Sequence, residues 1–208
     1  MARSSAWRSF RPGLTLPGGS AVDVAARRPQ RLAAAGQRGT VRVLGLDPGS
    51  RTTGFGVIEA FPGGARYLAS GSIRAVGDDL ASRLREIYAG VAAIVAEHRP
   101  GEVAIERVFV HRNPDSALKL GQARGAALCA TFGAAGALFD YSPREVKLAV
   151  VGSGNAAKQQ VQRMVKVLLG IEGRLGVDAA DALAIALCHA HGRATYLAAA
   201  INGAGRAQ

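Results

Sequence analysis

The sequence predicts an α/β fold, a mixed five-stranded sheet flanked by helices. Two observations carry this. Residues 41–47, 53–60 and 66–76 are β-type runs joined by Gly-containing turns, the pattern of an antiparallel meander. After residue 78, helical and strand-like patterns alternate, which adds further strands to the same sheet. At 208 residues the chain is long enough for one domain with a substantial core.

Residues 1–39 stand apart from this pattern. They are rich in Arg, Ala, Gly and Pro, show no sustained period of two or 3.6, and read as a disordered basic extension. An organellar transit peptide and a DNA-contacting arm are both compatible with that composition. The preferred reading is an over-extended reading frame, with the true start near Val41. The domain proper is then residues 40–193, and residues 194–208 are a flexible tail of small residues.

Within the domain, Asp78 and Asp79 open a helix whose face carries Leu80, Leu84, Ile87, Val91, Ile94 and Val95 in steps of three and four. Pro100-Gly101 stops it. Val103-Ala104-Ile105 is a short buried strand ending at Glu106. A helix spans about 114–135, and its Ala117, Gly121, Gly125 and Ala126 predict close approach of another helix, inside the fold or across a dimer. Gly in a helix costs about 1 kcal/mol relative to Ala, so its use there needs such a reason. A strand at 138–141, helices near 143–150 and 156–169, and a last helix from Val177 to His191 complete the set.

The net charge of +11 points towards a polyanionic partner. It is uneven: residues 1–40 hold seven Arg against one acid, Asp23, and the remainder has nineteen bases and fourteen acids, a moderate +5. Cys129 and Cys188 lie in apolar helical stretches without metal-ligand spacing and read as buried free thiols in a reducing cytoplasm. No charge-free apolar run of about 18 residues is present to span a membrane.

The stretch LGLDPGSRTTGFGVIE, residues 44–59, carries the first chemical signal. Val43, Leu44 and Leu46 deliver one acid, Asp47, to a strand end, and a Pro-Gly turn follows. Carboxylates at strand ends beside Gly-rich turns hold Mg²⁺ against phosphate in several folds, although Asp-Pro-Gly is also a good turn by itself. Glu106 closes its strand as Asp47 closes the first, and an unpaired buried carboxylate is costly. If these two strands are parallel neighbours, the acids face each other across one metal-sized gap.

The third element is VDAADALAIAL, 177–187. Asp178 and Asp181 stand about 60° apart around a helix and lie near its positive end. Asp178 as a helix cap is the structural alternative. The apolar remainder of this helix places it in the core, so its acidic start meets the sheet. Four acids brought together repel strongly unless divalent cations intervene, and an oxygen donor set selects Mg²⁺ or Mn²⁺. Two such ions activate water and stabilise the leaving oxygen at a phosphodiester, which makes Asp47, Glu106, Asp178 and Asp181 a two-metal nuclease set. His189 and His191 point in different directions on a helix with no third ligand evident, and His98 and His111 read as surface or loop residues.

Three long motifs, LGLDPGSRTTGFGVIE, AIERVFVHRNPDSALKLGQARG (104–125) and DAADALAIA (178–186), closely resemble the RuvC-type Holliday-junction resolvases. The likeness runs from about residue 42 to 191 and takes in DDLASRLREIYAGV and VVGSGNAAKQQVQ. It implies a ribonuclease-H-like fold, a homodimer, and symmetrical Mg²⁺-dependent nicking of four-way DNA junctions that leaves 5′-phosphate and 3′-hydroxyl ends. The family's catalytic acids map onto Asp47, Glu106 and Asp178, with Asp181 completing the cluster, and Mn²⁺ can stand in for Mg²⁺. Its base-contacting aromatic maps onto Phe109, beside an exposed loop bearing Arg112. Its two basic residues near the cleaved strand map onto Lys147 and Lys158. Cooperation with a branch-migration helicase complex is likewise implied. Residues 1–39 fall outside the family pattern.

Two rivals are weighed against this. An actin-like or sugar-kinase ATPase also places Asp near a Gly-rich hairpin, but needs two such domains, and about 150 structured residues are too few. A non-catalytic four-way-junction binding protein would carry vestigial acids and tolerate their replacement.

Overall fold

The computed structural model describes residues 22–24, 39–107, 114–133 and 136–204. In chain order the elements begin with a short strand, β1 (Val22–Val24), then β2 (Val41–Asp47), β3 (Thr52–Phe61) and β4 (Gly64–Arg74). Helix α1 (Leu80–His98), strand β5 (Glu102–Glu106), helix α2 (Pro114–Cys129) and strand β6 (Ala137–Tyr141) follow. Helices α3 (Pro143–Val151), α4 (Lys158–Leu169) and α5 (Val177–Ala204) end the chain. The strands form one sheet in the order β1-β4-β3-β2-β5-β6. β2, β3 and β4 are the expected antiparallel meander, and β5 and β6 add to it in parallel.

Local chemistry sets the boundaries. Asp79 accepts from the Ser82 amide at 2.7 Å and starts α1. Arg99 ends it in the left-handed region at φ 47°, donating to the Val95 carbonyl, with Pro100 next. Ser142 and Glu145 make a reciprocal capping box at α3, and Pro143 supplies its first turn.

Strand alternation divides the core into two layers. Leu44, Leu46, Phe55, Val57, Val103 and Ile105 pack with α1 and α2 residues such as Ile87, Val91 and Ala123. Val43, Ile58, Ala60 and Ala104 pack on the other face against α3, α4 and α5, including Val150, Val165 and Leu183.

Helix α5 lies directly on glycines of the sheet. A Cβ at Gly45 would sit 2.1 Å from the Ala182 carbonyl oxygen, and one at Gly54 2.1 Å from that of Asp178. At Gly56 it would meet the Leu183 side chain at 2.7 Å. Gly45 pairs with Gly56 across β2 and β3, and Gly54 pairs with Asp47. The glycines of the first motif are therefore a seat for the helix, a role its reading as a Gly-rich turn beside a phosphate does not include.

Several expectations need correction. Helix α5 continues to Ala204, well past His191, where a flexible tail is expected; ATYLAAAINGA is dominated by good helix formers and carries no Pro stop. Helix α2 ends at Cys129, ahead of the expected 135, because a turn containing Gly133 at φ 88° follows. Cys129 is exposed, whereas Cys188 is buried as expected. The five expected strands are all present, and β1, from the segment read as a disordered extension, adds a short strand at the β4 edge. Gly121 and Gly125 have nothing within 4 Å of an added Cβ, so of the two alternatives for this stripe the described fold does not supply the first, which leaves the approach across a dimer.

The glycine seat is testable. Gly45→Ala should lower stability to urea by about 1–3 kcal/mol, because backbone must move to admit the methyl group. Gly125→Ala, at an open helical position, should raise it by up to about 1 kcal/mol.

Candidate active site

The site begins with two strand ends. The parallel register pairs Gly45 with Ala104 and Leu46 with Ile105, so the next residues, Asp47 and Glu106, end adjacent strands side by side. By alternation Gly45 and Asp47 share a face with Ala104 and Glu106, and that face is the one α5 covers. The first turn of α5 rests on Gly54, the cross-strand partner of Asp47. Asp178 and Asp181 are thereby carried over the strand ends. Asp178 is the second residue of α5 rather than its cap, so its carboxylate is not taken up in closing the helix end.

Lys158, the first residue of α4, places Nζ 2.5 Å from Asp181 Oδ2. Asp47 and Glu106 share a side-chain hydrogen bond. Burial pushes the Asp47 carboxyl up to about 8, helped by the charge and hydrogen bond of Glu106 and by the charge of Asp181, while Lys158 opposes the rise. Glu106 is also raised, chiefly by burial and then by Asp181. Burial raises Asp181 too, with Lys158 pulling the other way through its hydrogen bond and charge. The hydrogen bond from Lys158 to Asp181 holds that ammonium above its ordinary range.

These acids are hard oxygen donors near enough to one another for their charges to interact. The ammonium of Lys158 offsets part of that charge at Asp181. Among the described residues no three acidic, His or Cys side chains already form a closed coordination group. Asp47 and Glu106 face each other, and Asp181 faces Lys158. The donor chemistry and the raised carboxyls fit a divalent cation such as Mg²⁺.

Lys147 lies half-buried on α3 and joins none of these ion pairs among the described residues. Phe109, Arg112 and His111 lie outside the described residues. Sequence reasoning missed Arg124. Its Nε donates to the Glu106 carbonyl at 3.3 Å and its Nη2 pairs with Asp140, bracing the end of β5 against β6 and α2. Nothing in a lone helical Arg signals that role. His189, expected to be an ordinary histidine, is buried and bonded through both ring nitrogens at the far end of the same strand–helix pair.

Comparison with known proteins adds a family. Residues 43–189 match the profile of the crossover junction endodeoxyribonuclease RuvC. The Methylococcus capsulatus protein of that name is 54% identical over 154 residues, covering 74% of this chain and 93% of its own. The Aeromonas salmonicida protein is 52% identical over 165 residues, covering 79% and 93%. Among solved structures, Thermus thermophilus RuvC in complex with a Holliday junction substrate superposes with a TM-score of 0.70 at 36% identity, covering 75% of this chain and 96% of that one. The yeast mitochondrial Holliday junction resolvase Ydc2, at 16% identity and TM-score 0.55, shares the fold.

The raised carboxyls fix the sign of a pH effect. Asp47 favours its protonated form in the folded chain, so its contribution to stability is complete below its ordinary value of 3.8 and is lost as pH rises through about 8. The thermal midpoint of the metal-free chain should fall across that window, and Asp47→Asn should flatten the fall. Mg²⁺ should raise the midpoint more at pH 8 than at pH 6, as differential scanning calorimetry would show.

Proposed function

Because this chain belongs to the RuvC family of crossover junction endodeoxyribonucleases, we propose that it resolves four-way DNA junctions by nicking paired strands at the cluster of Asp47, Glu106, Asp178 and Asp181. What supports the site assignment is the placement of Asp47 and Glu106 at adjacent parallel strand ends, with the start of α5 seated on the partner of Asp47, together with the upward shift of the Asp47, Glu106 and Asp181 carboxyls. A solvated surface cluster would not be so perturbed.

The four carboxylates would hold two Mg²⁺ ions, or Mn²⁺ in their place. When bound, these supply an activated water and stabilise the departing oxygen of the scissile phosphodiester. The residues do the rest. Asp47 and Glu106 would offer their carboxylate oxygens from the strand ends, and Asp178 and Asp181 would complete the oxygen set from α5. Lys158, already at the cluster, neutralises charge on the phosphate, and Lys147 on the neighbouring α3 extends that positive surface along the strand. Water attacks phosphorus in line and the 3′ oxygen leaves, giving 5′-phosphate and 3′-hydroxyl ends. Phe109 and Arg112 contact the unpaired bases and backbone at the crossover.

Symmetrical cutting requires two sites, so the acting unit is a homodimer. The open face of α2, where Pro114, Ala117, Leu118 and Gly121 line a shallow apolar groove, supports that reading. Residues 40–193 are the catalytic domain, acting in the cytoplasm on junctions delivered by a branch-migration helicase complex. Among the described residues no helix is long and apolar enough to cross a membrane.

The test is cleavage of a labelled synthetic four-way junction with Mg²⁺, against a linear duplex. The parent should leave paired, ligatable nicks in the junction alone. Asp47→Asn and Asp178→Asn should each reduce cutting by at least about 10²-fold while still binding the junction. Tight binding with no cutting by the parent under Mg²⁺ or Mn²⁺ would instead identify a non-catalytic junction-binding protein.

A further inference from the structure

We propose that His189 and Glu102 are positioning residues for the carboxylate cluster, fixing helix α5 on the sheet so that Asp178 and Asp181 stand over Asp47 and Glu106. This rests on the reading of that cluster as the divalent-cation site. The two ends of one strand and one helix are involved. β5 carries Glu102 at its start and Glu106 at its end, on the same face and about 13 Å apart. α5 carries Asp178 and His189 eleven residues apart, about 16 Å along its axis.

The far end is a closed polar clamp. His189 is 1% exposed, its Nε2 2.7 Å from Glu102 Oε2 and its Nδ1 2.7 Å from the Tyr141 hydroxyl. An ionised Glu102 can only accept, so Nε2 donates. The Phe139 ring lies over the imidazole at 4.2 Å between centroids. Both oxygens of Glu102 also accept from Arg193 Nε, at 3.1 and 3.0 Å, and Arg193 Nη1 donates to the Gly39 carbonyl at 2.9 Å. The clamp thus ties α5 to the starts of β2 and β5 and to β6.

Between clamp and cluster, α5 rests on Gly45 and Gly56 through Ala182, Ala186 and Leu183, and its first turn rests on Gly54 through Asp178. A glycine and alanine surface brings backbones close but offers few knobs against sliding, and Leu183 is the large side chain that meets these glycines. Directional hydrogen bonds at the helix's other half supply the missing axial constraint. The tolerance is small: ligand groups must hold their places to about 0.5 Å, and a one-residue slip of a helix is about 1.5 Å.

Full-length His189→Leu, His189→Gln and Glu102→Gln would be compared with the parent for thermal midpoint, junction binding without divalent cation, Mn²⁺ affinity by electron paramagnetic resonance, and kcat and KM on a four-way junction. The expected result, measured well below unfolding, is weaker Mn²⁺ affinity in His189→Leu and Glu102→Gln than in the parent. kcat should fall with KM and junction binding unchanged, and His189→Gln, whose amide can still donate to Glu102, should recover part of the loss. Lowered midpoints with Mn²⁺ affinity and kcat at the parent's values would overturn the proposal and leave the clamp as stability alone. If His189→Leu does not fold, Glu102→Gln and His189→Gln decide by the same readouts. A parent that cuts junctions yet binds no Mn²⁺ at the cluster would overturn the metal-site reading itself, and with it this inference, a result distinct from parent-like affinity in the variants.

Discussion

Helix α5 approaches the sheet at a distance that a single Cβ would forbid, and the rest of the site depends on that contact. Gly45, Gly54 and Gly56 leave the backbone of β2 and β3 bare where Ala182, Asp178 and Leu183 come down. Close packing contributes dispersion and excludes water. Its larger consequence is positional: the acidic start of an otherwise buried helix is held against the ends of two strands that each finish in an acid. Without the seat, Asp178 and Asp181 would stand off by the thickness of a side chain and the four carboxylates would be separate surface groups.

The electrostatic cost of this arrangement is local and visible. Burial and mutual repulsion raise Asp47, Glu106 and Asp181, and Lys158 offsets part of that from the start of α4. The fold carries it because the surrounding layers are strongly apolar: the two faces of the sheet bury continuous sets of Val, Ile, Leu and Ala on either side. At the opposite end of the strand–helix pair, His189, Glu102 and Arg193 form a satisfied network, so one face of the sheet has a quiet polar end and a strained one.

Element by element, the meander at residues 41–76, the strand ending at Glu106 and the helix opening near Val177 were legible from period and punctuation. Those signals are local, set by side-chain alternation and by Asp79, Pro100, Ser142 and Pro143 at the boundaries. The end of α5 was not, since small residues read equally as a tail or as helix until packing and propensity are weighed together. That β2 and β5 are parallel neighbours was legible only as a condition the acids would need, because strand order and register are long-range properties. His189 was unreadable for the same reason: its partners Glu102 and Tyr141 lie 87 and 48 residues away.

By itself, then, the sequence determined the chemistry: which residues are acidic, that each of two strands ends in one, and that a buried helix begins with two more. It determined the family as well, because long motifs in order carry more information than any single acid. Only the tertiary structure decided that Asp47 and Glu106 end neighbouring parallel strands, that Lys158 lies against Asp181, that Arg124 braces the Glu106 strand end, and that the motif glycines serve a helix. The physical reason is that residue type and period are written along the chain, whereas proximity, desolvation and charge coupling arise between segments that meet only when the sheet and α5 pack together.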